Sequence, residues 1–180
     1  MSNTIINPLP TMYDLRGQSV DRMGRDTTGK IQYRFNNQGF RSDRDFDFVP
    51  DWCFFGCSFV LGIGVPHDQI FSSKFSNSHN YGMCGDYDNK IIRDSVQQFI
   101  DSELFSPHTQ MVVFWTDRDN DLLESYYQNF CDHNMKFFFC GTPLPHKNCF
   151  KIIPNLDLDV SGTHMGPKTH EFLYRAICRG

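Results

Sequence analysis

A serine that ends an apolar run is the residue of this chain best suited to chemistry. Ser58 follows Trp52-Cys53-Phe54-Phe55-Gly56-Cys57 and precedes Phe59-Val60-Leu61-Gly62-Ile63-Gly64-Val65. The unbroken apolar stretch from Trp52 to Phe55 suits a strand buried on both faces, and Gly56 then interrupts it. A hydroxyl at the carboxyl end of a parallel strand stands where open α/β sheets place their sites. The chemistry open to such a group is nucleophilic attack on an acyl carbon, given a base within hydrogen-bond reach and donors around the developing oxyanion. The spacing is not that of the G-x-S-x-G elbow, because Val60 stands where that motif has its second Gly. Read alone, a Ser after a Gly is most often a loop residue, so the elements around it must decide.

The other reactive side chains form no competing constellation. Seven cysteines (Cys53, Cys57, Cys84, Cys131, Cys140, Cys149 and Cys178) include no C-x-x-C pair and no zinc spacing. Several lie beside aromatic residues in apparent strands, where free Cys serves as a small core residue. Reduced thiols are therefore expected, with no metal and no organic cofactor. Of the seven histidines only His164 and His170 fall close together, and their separation fits no helical metal face. His170 is expected on the surface of the last helix, and His67, His79, His108, His133 and His146 in loops or at the surface.

With 180 residues, 39% of them apolar, the chain suits one core. Seventeen basic residues against 21 acidic ones leave a net charge of -4, with no basic stripe that would point to nucleic acid. No run of about 18 apolar residues is present to span a bilayer, and the first residues lack the basic and apolar regions of a signal peptide. A cytoplasmic or otherwise unexported protein is expected, of cellular or viral source. Eighteen phenylalanines point to a well-filled core.

Residues 1–50 read as an irregular leader packed on a domain of residues 51–180. Within the leader Ile31-Gln32-Tyr33-Arg34-Phe35 alternates as a strand does, and Asn36-Asn37-Gln38-Gly39-Phe40-Arg41 adds turn residues and an aromatic anchor. A surface hairpin is the plain reading, while packing beside Ser58 would let Arg41 orient a substrate. From Asp51 the chain alternates. Strands are expected at Trp52–Gly56, before Gly82, at Met111–Trp115, at Met135–Cys140 and weakly at Phe150–Ile153. Helices are expected at Gln69–Phe75, at Asp88–Leu104 with Ile92, Val96 and Ile100 in one stripe, at Asp119–Cys131, and from Pro167 onward. Strands and helices in this rhythm predict an α/β fold, a parallel sheet covered on both faces in a three-layer α/β/α sandwich.

In order and spacing, Gly56-Cys57-Ser58-Phe59 with Gly62 and Gly64-Val65, then Asn80-x-Gly82-x-x-Gly85, then His164, resemble the blocks of the SGNH/GDSL hydrolase family over residues 52 to 178. The resemblance implies a flavodoxin-like fold and hydrolysis of esters, including acyl or acetyl groups on carbohydrates or lipids. It implies Ser58 as nucleophile, His164 as the base, and the backbone N–H groups of Ser58 and Gly82 around the oxyanion. The sequence departs from the family at three places. Cys57 replaces the Asp of the first block. The third block, Gly-x-Asn-Asp, is replaced by Thr116-Asp117-Arg118-Asp119-Asn120, which leaves Asn120 or Thr116 as the remaining oxyanion donor. Ser161 stands three residues before His164, where the family has Asp, so Asp159 is expected to orient the ring, with Asp157 or a backbone carbonyl as the alternative. Tyr81 and Met83 line either an acyl pocket or the core. The reading from a different class is a non-catalytic carbohydrate-binding or structural protein that keeps the fold.

Overall fold

The computed structural model describes residues 19–20, 31, 33–83, 89–115, 120–139, 143–151, 157–159 and 164–179. Its centre is a strand, β3 (Trp52–Gly56), in which Cys53, Phe54 and Phe55 are fully buried. Hydrogen-bonded around it are β4 (Ser78–Gly82), β5 (Gln110–Trp115), β6 (Met135–Phe139) and β7 (Cys149–Lys151), in the order β4-β3-β5-β6-β7. Every pairing is parallel. The chain steps from β3 to β4 in one direction, then crosses back over β3 to add β5, β6 and β7 in the other. The winding therefore reverses at β3, and Ser58 follows the carboxyl end of that strand.

Period-two alternation divides the sheet residues between two apolar cores. On one face Cys53, Phe55, Tyr81, Met111, Val113, Trp115, Phe137 and Phe139 meet Ile92, Val96 and Phe99 of α2 (Asn89–Ile100) and Leu123, Tyr126 and Phe130 of α3 (Asn120–Phe130). On the other face Phe54, Val112, Phe114 and Phe138 meet Val60, Phe71, Phe75, and Leu173 and Ile177 of α4 (Pro167–Arg179). A parallel sheet buried on both sides needs the near-continuous apolar strands that the sequence supplies.

Element limits differ from expectation where local bonds intervene. The α2 stripe ends at Ile100, because Asp101 and Ser102 close a turn by donating to Gln97 O and Phe99 O. The stretch expected as one helix at Gln69–Phe75 is instead two 3₁₀ turns, His67–Gln69 and Phe71–Lys74, separated by extended Ile70. The last strand is Cys149–Lys151, and residues 152–156 lie outside the described set.

The described part of the leader is more than a surface hairpin. β2 (Tyr33–Arg34) pairs antiparallel with β1 (Ser19–Val20), and Ile31, Tyr33 and Phe35 pack with Leu61 and Ile63. Asn36 Oδ1 then accepts the N–H groups of Gln38 and Phe40, a turn that drives Phe40 into the core of the α2 face beside Phe46 and Tyr81. Two histidines also lie where the sequence did not place them. His79 is fully buried in β4, stacked 4.1 Å from Phe46 with Nδ1 3.0 Å from Tyr81 Oη. His170 is buried on the inner face of α4, where Nδ1 accepts the Phe71 N–H. Each ring serves as core surface with one polar edge, which a pattern of residue types does not separate from an exposed histidine.

Among the described residues no helix is long and apolar enough to cross a membrane. Cys53, Cys131, Cys149 and Cys178 are free thiols, and burial pushes the Cys53 thiol well up. Cys84 and Cys140 lie outside the described residues.

Candidate active site

Backbone geometry at the end of β3 sets the position of Ser58. Cys57 is extended, and its carbonyl accepts the N–H groups of Val60 and Leu61, so the chain turns at once into the short helix α1 (Ser58–Leu61). Ser58 is the first residue of that helix and is half-buried. Cys57, where the resemblance calls for Asp, supports this turn through its main chain. Gly62 closes α1 in the left-handed conformation, φ 75°, and donates to Ser58 O at 3.0 Å.

His164 is delivered by a narrow clip ahead of α4. Asp159 N donates to His164 O at 3.0 Å, Gly166 N donates to Asp157 O at 3.0 Å, and Leu158 bridges Met165 between them. Across the clip, His164 Nε2 lies 3.2 Å from Ser58 Oγ. On the other side of the ring, Nδ1 is 3.9 Å from Asp159 Oδ2, while Asp159 Oδ1 accepts the His164 backbone N–H at 3.2 Å. The Asp159 side chain is fully buried and that of His164 is 10% exposed, so their attraction is little screened. The edge of Phe59 packs on the ring at 5.9 Å. The Ser58 hydroxyl and the His164 ring are thus within hydrogen-bond reach, with the Asp159 carboxylate at ion-pair distance from the other ring nitrogen.

Asp157 and Asp159 do not point the same way, as simple alternation would have it. The Asp157 carboxylate accepts the N–H groups of Lys168 and Thr169 and the Thr169 hydroxyl, and so caps α4. Burial works against its charge, but these donors outweigh it and hold the carboxyl below its usual range.

Gly82 does not fill the role expected of it. Its N–H is donated to Asn80 Oδ1 at 2.8 Å and so is already committed. The missing side chain serves packing instead, since a Cβ there would lie 2.2 Å from Leu61 N and 2.6 Å from Val60 C. Asn80 also donates to Val60 O and Ser72 Oγ, which ties β4 to α1. Of Asn120 only the backbone position is described, at the start of α3. Thr116, Ser161 and Gly85 lie outside the described residues. Tyr81 is core, stacked on Phe55 at 5.0 Å, and Met83 is buried with its N–H on Gly56 O.

Arg41 is not placed to orient a substrate. It is 1% exposed, and its guanidinium donates to the carbonyls of Leu61, Gly62 and Val65 while lying 4.6 Å over the Tyr33 ring. Burial lowers its pKa to about 10, which still leaves it charged at neutral pH. Tyr33 Oη in turn accepts the Gly64 N–H. No sequence motif announced these bonds, although the Asn36-x-x-Gly39-Phe40-Arg41 turn marked where the arginine enters the fold.

A cavity of about 270 Å³ lined by Arg41, Arg44, His67, Ser72, Asn77 and Asn80 includes neither Ser58 nor His164. Its hydroxyl and amide groups are largely engaged with each other and with backbone, as in the bonds of Ser73, Ser78 and Asn80. The Ser58–His164 approach and this cavity therefore involve different residues. Among the described residues no three His, Cys, Asp or Glu side chains cluster as metal ligands. No family model, curated protein or solved structure matches this chain.

Proposed function

We propose that the protein is a serine ester hydrolase of the SGNH type, acting on carboxylic esters such as acetylated or acylated carbohydrates or lipids. The observation that carries this reading is the 3.2 Å approach of His164 Nε2 to Ser58 Oγ, made between residues 106 positions apart. Numbered from β3 within the sheet, the strand order is 2-1-3-4-5, the flavodoxin-like order, whose sites sit where the winding reverses. Ser58 occupies that place.

The chemistry follows from the geometry. With Nε2 accepting the Ser58 hydroxyl, the ring proton sits on Nδ1, the side facing Asp159. Oγ bonds to the carbonyl carbon as its proton passes to Nε2, and the carbonyl π pair moves onto oxygen. The Ser58 N–H, at the first position of α1, has no acceptor among the described residues and is the donor available to that oxyanion. Collapse of the adduct breaks the bond to the alkoxide, which takes the proton from Nε2 and departs as an alcohol. Water then attacks the acyl-Ser58, gives its proton to Nε2, and the acid is released as Oγ recovers that proton. During both steps the Asp159 carboxylate, 3.9 Å from Nδ1, opposes the charge of the imidazolium.

Turnover of p-nitrophenyl acetate tests the proposal. The wild type hydrolyses it, and Ser58→Ala loses at least about 10³ in kcat. Turnover that survives Ser58→Ala unchanged assigns the chemistry elsewhere. One observation favours the non-catalytic, carbohydrate-binding reading: the committed Gly82 N–H leaves the oxyanion one donor short, a loss worth about 10²–10³ in rate. Absence of turnover in both forms supports that second reading.

A further inference from the structure

Resting on the hydrolase reading, we propose that Tyr33 and Arg41, from the leader ahead of the sheet, are positioning residues for the Asp159–His164–Ser58 alignment. The link runs through the loop Leu61–Val65. Its carbonyls at 61, 62 and 65 turn inward onto one buried guanidinium, so the loop draws three of its acceptor contacts from Arg41. Buried carbonyls without donors are costly, and a planar fork of donors on a rigid stem is suited to gathering several at once.

Gly64 carries the constraint to the site. It lies in the left-handed region at φ 72°, its N–H donated to Tyr33 Oη at 2.5 Å. A Cβ at Gly64 would stand 1.9 Å from Asp159 Oδ2 and 2.5 Å from Asp159 Cγ. The carboxylate behind His164 therefore packs directly on the Gly64 backbone. A displacement of the 62–65 turn thus acts on the carboxylate that stands 3.9 Å from Nδ1. The Tyr33 hydroxyl and the Arg41 fork hold that turn, and the Tyr33 ring lies under the guanidinium. The same turn begins at the carboxyl end of α1, whose first residue is Ser58, so one clamp holds the nucleophile's helix and the base's carboxylate in register. A displacement on the order of 1 Å at such a site costs about 10² in rate.

Tyr33→Phe is the test, because it removes one acceptor and keeps the ring on which Arg41 rests. Three readouts are compared with wild type: kcat and KM for p-nitrophenyl acetate, the rate at which a fluorophosphonate labels Ser58, and the NMR resonances of the His164 ring. The expected result is a folded protein with kcat and labelling rate lower by about tenfold to 10², KM unchanged, and displaced His164 resonances. A folded Tyr33→Phe with wild-type kcat, labelling and His164 resonances overturns the proposal. Should Tyr33→Phe not fold, Arg41→Lys, which keeps the charge and loses the fork, carries the same expectations. A wild type that neither turns over nor labels refutes the hydrolase reading. The His164 resonances then still decide whether Tyr33 sets the Asp159–His164 geometry.

Discussion

Asp159 stands five residues before His164, and its carboxylate reaches the ring because the clip folds the two against each other, not because a helix or strand repeat aligns them. At 3.9 Å and an effective dielectric of about 20, such a pair interacts by roughly 4 kcal/mol before relaxation, an upper bound. Asp159→Asn should therefore lower kcat by about 10² with KM little changed, less than the 10⁴ seen where an Asp hydrogen bond fixes the tautomer. Steady-state kinetics checks this, and an unaltered kcat would leave Ser58 and His164 as a dyad without an electrostatic partner. That Ser58 and His164 would come together, with Asp159 near the ring, was legible in the sequence as geometry. The engagement of Gly82 with Asn80 and the α1 backbone was not legible, because a glycine that admits a neighbouring backbone and one that offers an N–H look the same in sequence. The partners of Arg41 and Tyr33 were not legible because they are main-chain atoms of a loop whose path the sequence does not spell out.

Histidine burial supplies a second prediction at this scale. Burial first, and then the charge of Arg41, lower the pKa of His170 to about 4, with Lys74 adding to the effect and Asp157 opposing it. Burial and Arg44 lower that of His79 to about 3. Both rings are neutral when folded and protonate near 6.5 when unfolded, so the unfolded chain binds more protons below that pH. Stability is full above about pH 6.5 and is lost as pH falls toward 4, by about 3 kcal/mol for His170. Thermal melts from pH 7.5 to 4 should show this decline, and His170→Leu should flatten it; an equal slope in the variant contradicts the assignment.

At the scale of elements, α4 and the clip depend on each other through Asp157. Its carboxylate serves two N–H groups and one hydroxyl at the start of α4. Asp157→Ala should cost about 1–2 kcal/mol, which lowers Tm by several degrees in a chain of this size. A melting curve that matches wild type would show the cap to be dispensable. The contact between β4 and α1 is stiffer. Gly82→Ala puts a methyl against the Leu61 and Val60 backbone, which cannot rotate aside, so a loss of about 1–3 kcal/mol is expected together with displacement of α1. Denaturant unfolding measures the first and Ser58 labelling the second. Strands β3, β5 and β6 were legible because each is a short apolar run, whereas β4, Ser-His-Asn-Tyr-Gly, shows only its last residues as a strand end. The break of the expected helix at Ile70 was not legible, since an extended residue between two turns leaves no periodic mark.

For the molecule as a whole, alternation of strand and helix was enough to predict a parallel sheet with apolar residues on both faces, since β3, β5 and β6 carry no polar alternation to expose. The strand order was less accessible, because it depends on which crossovers pass over β3. It matters most for function: placing β4 on one side and β5 on the other opens the sheet at Ser58. The leader belongs to this architecture as well, with Phe40 and Phe46 in the α2 face and Tyr33 and Arg41 against the loop that follows Ser58. A reactive serine at that crevice, with His164 3.2 Å away, is the central claim. The most direct measurement is intact-protein and peptide mass spectrometry after treatment with a fluorophosphonate. The account predicts a single adduct on Ser58 that is absent from Ser58→Ala and strongly slowed in His164→Ala. An unlabelled Ser58 in folded wild-type protein, or an adduct on another residue, would contradict it.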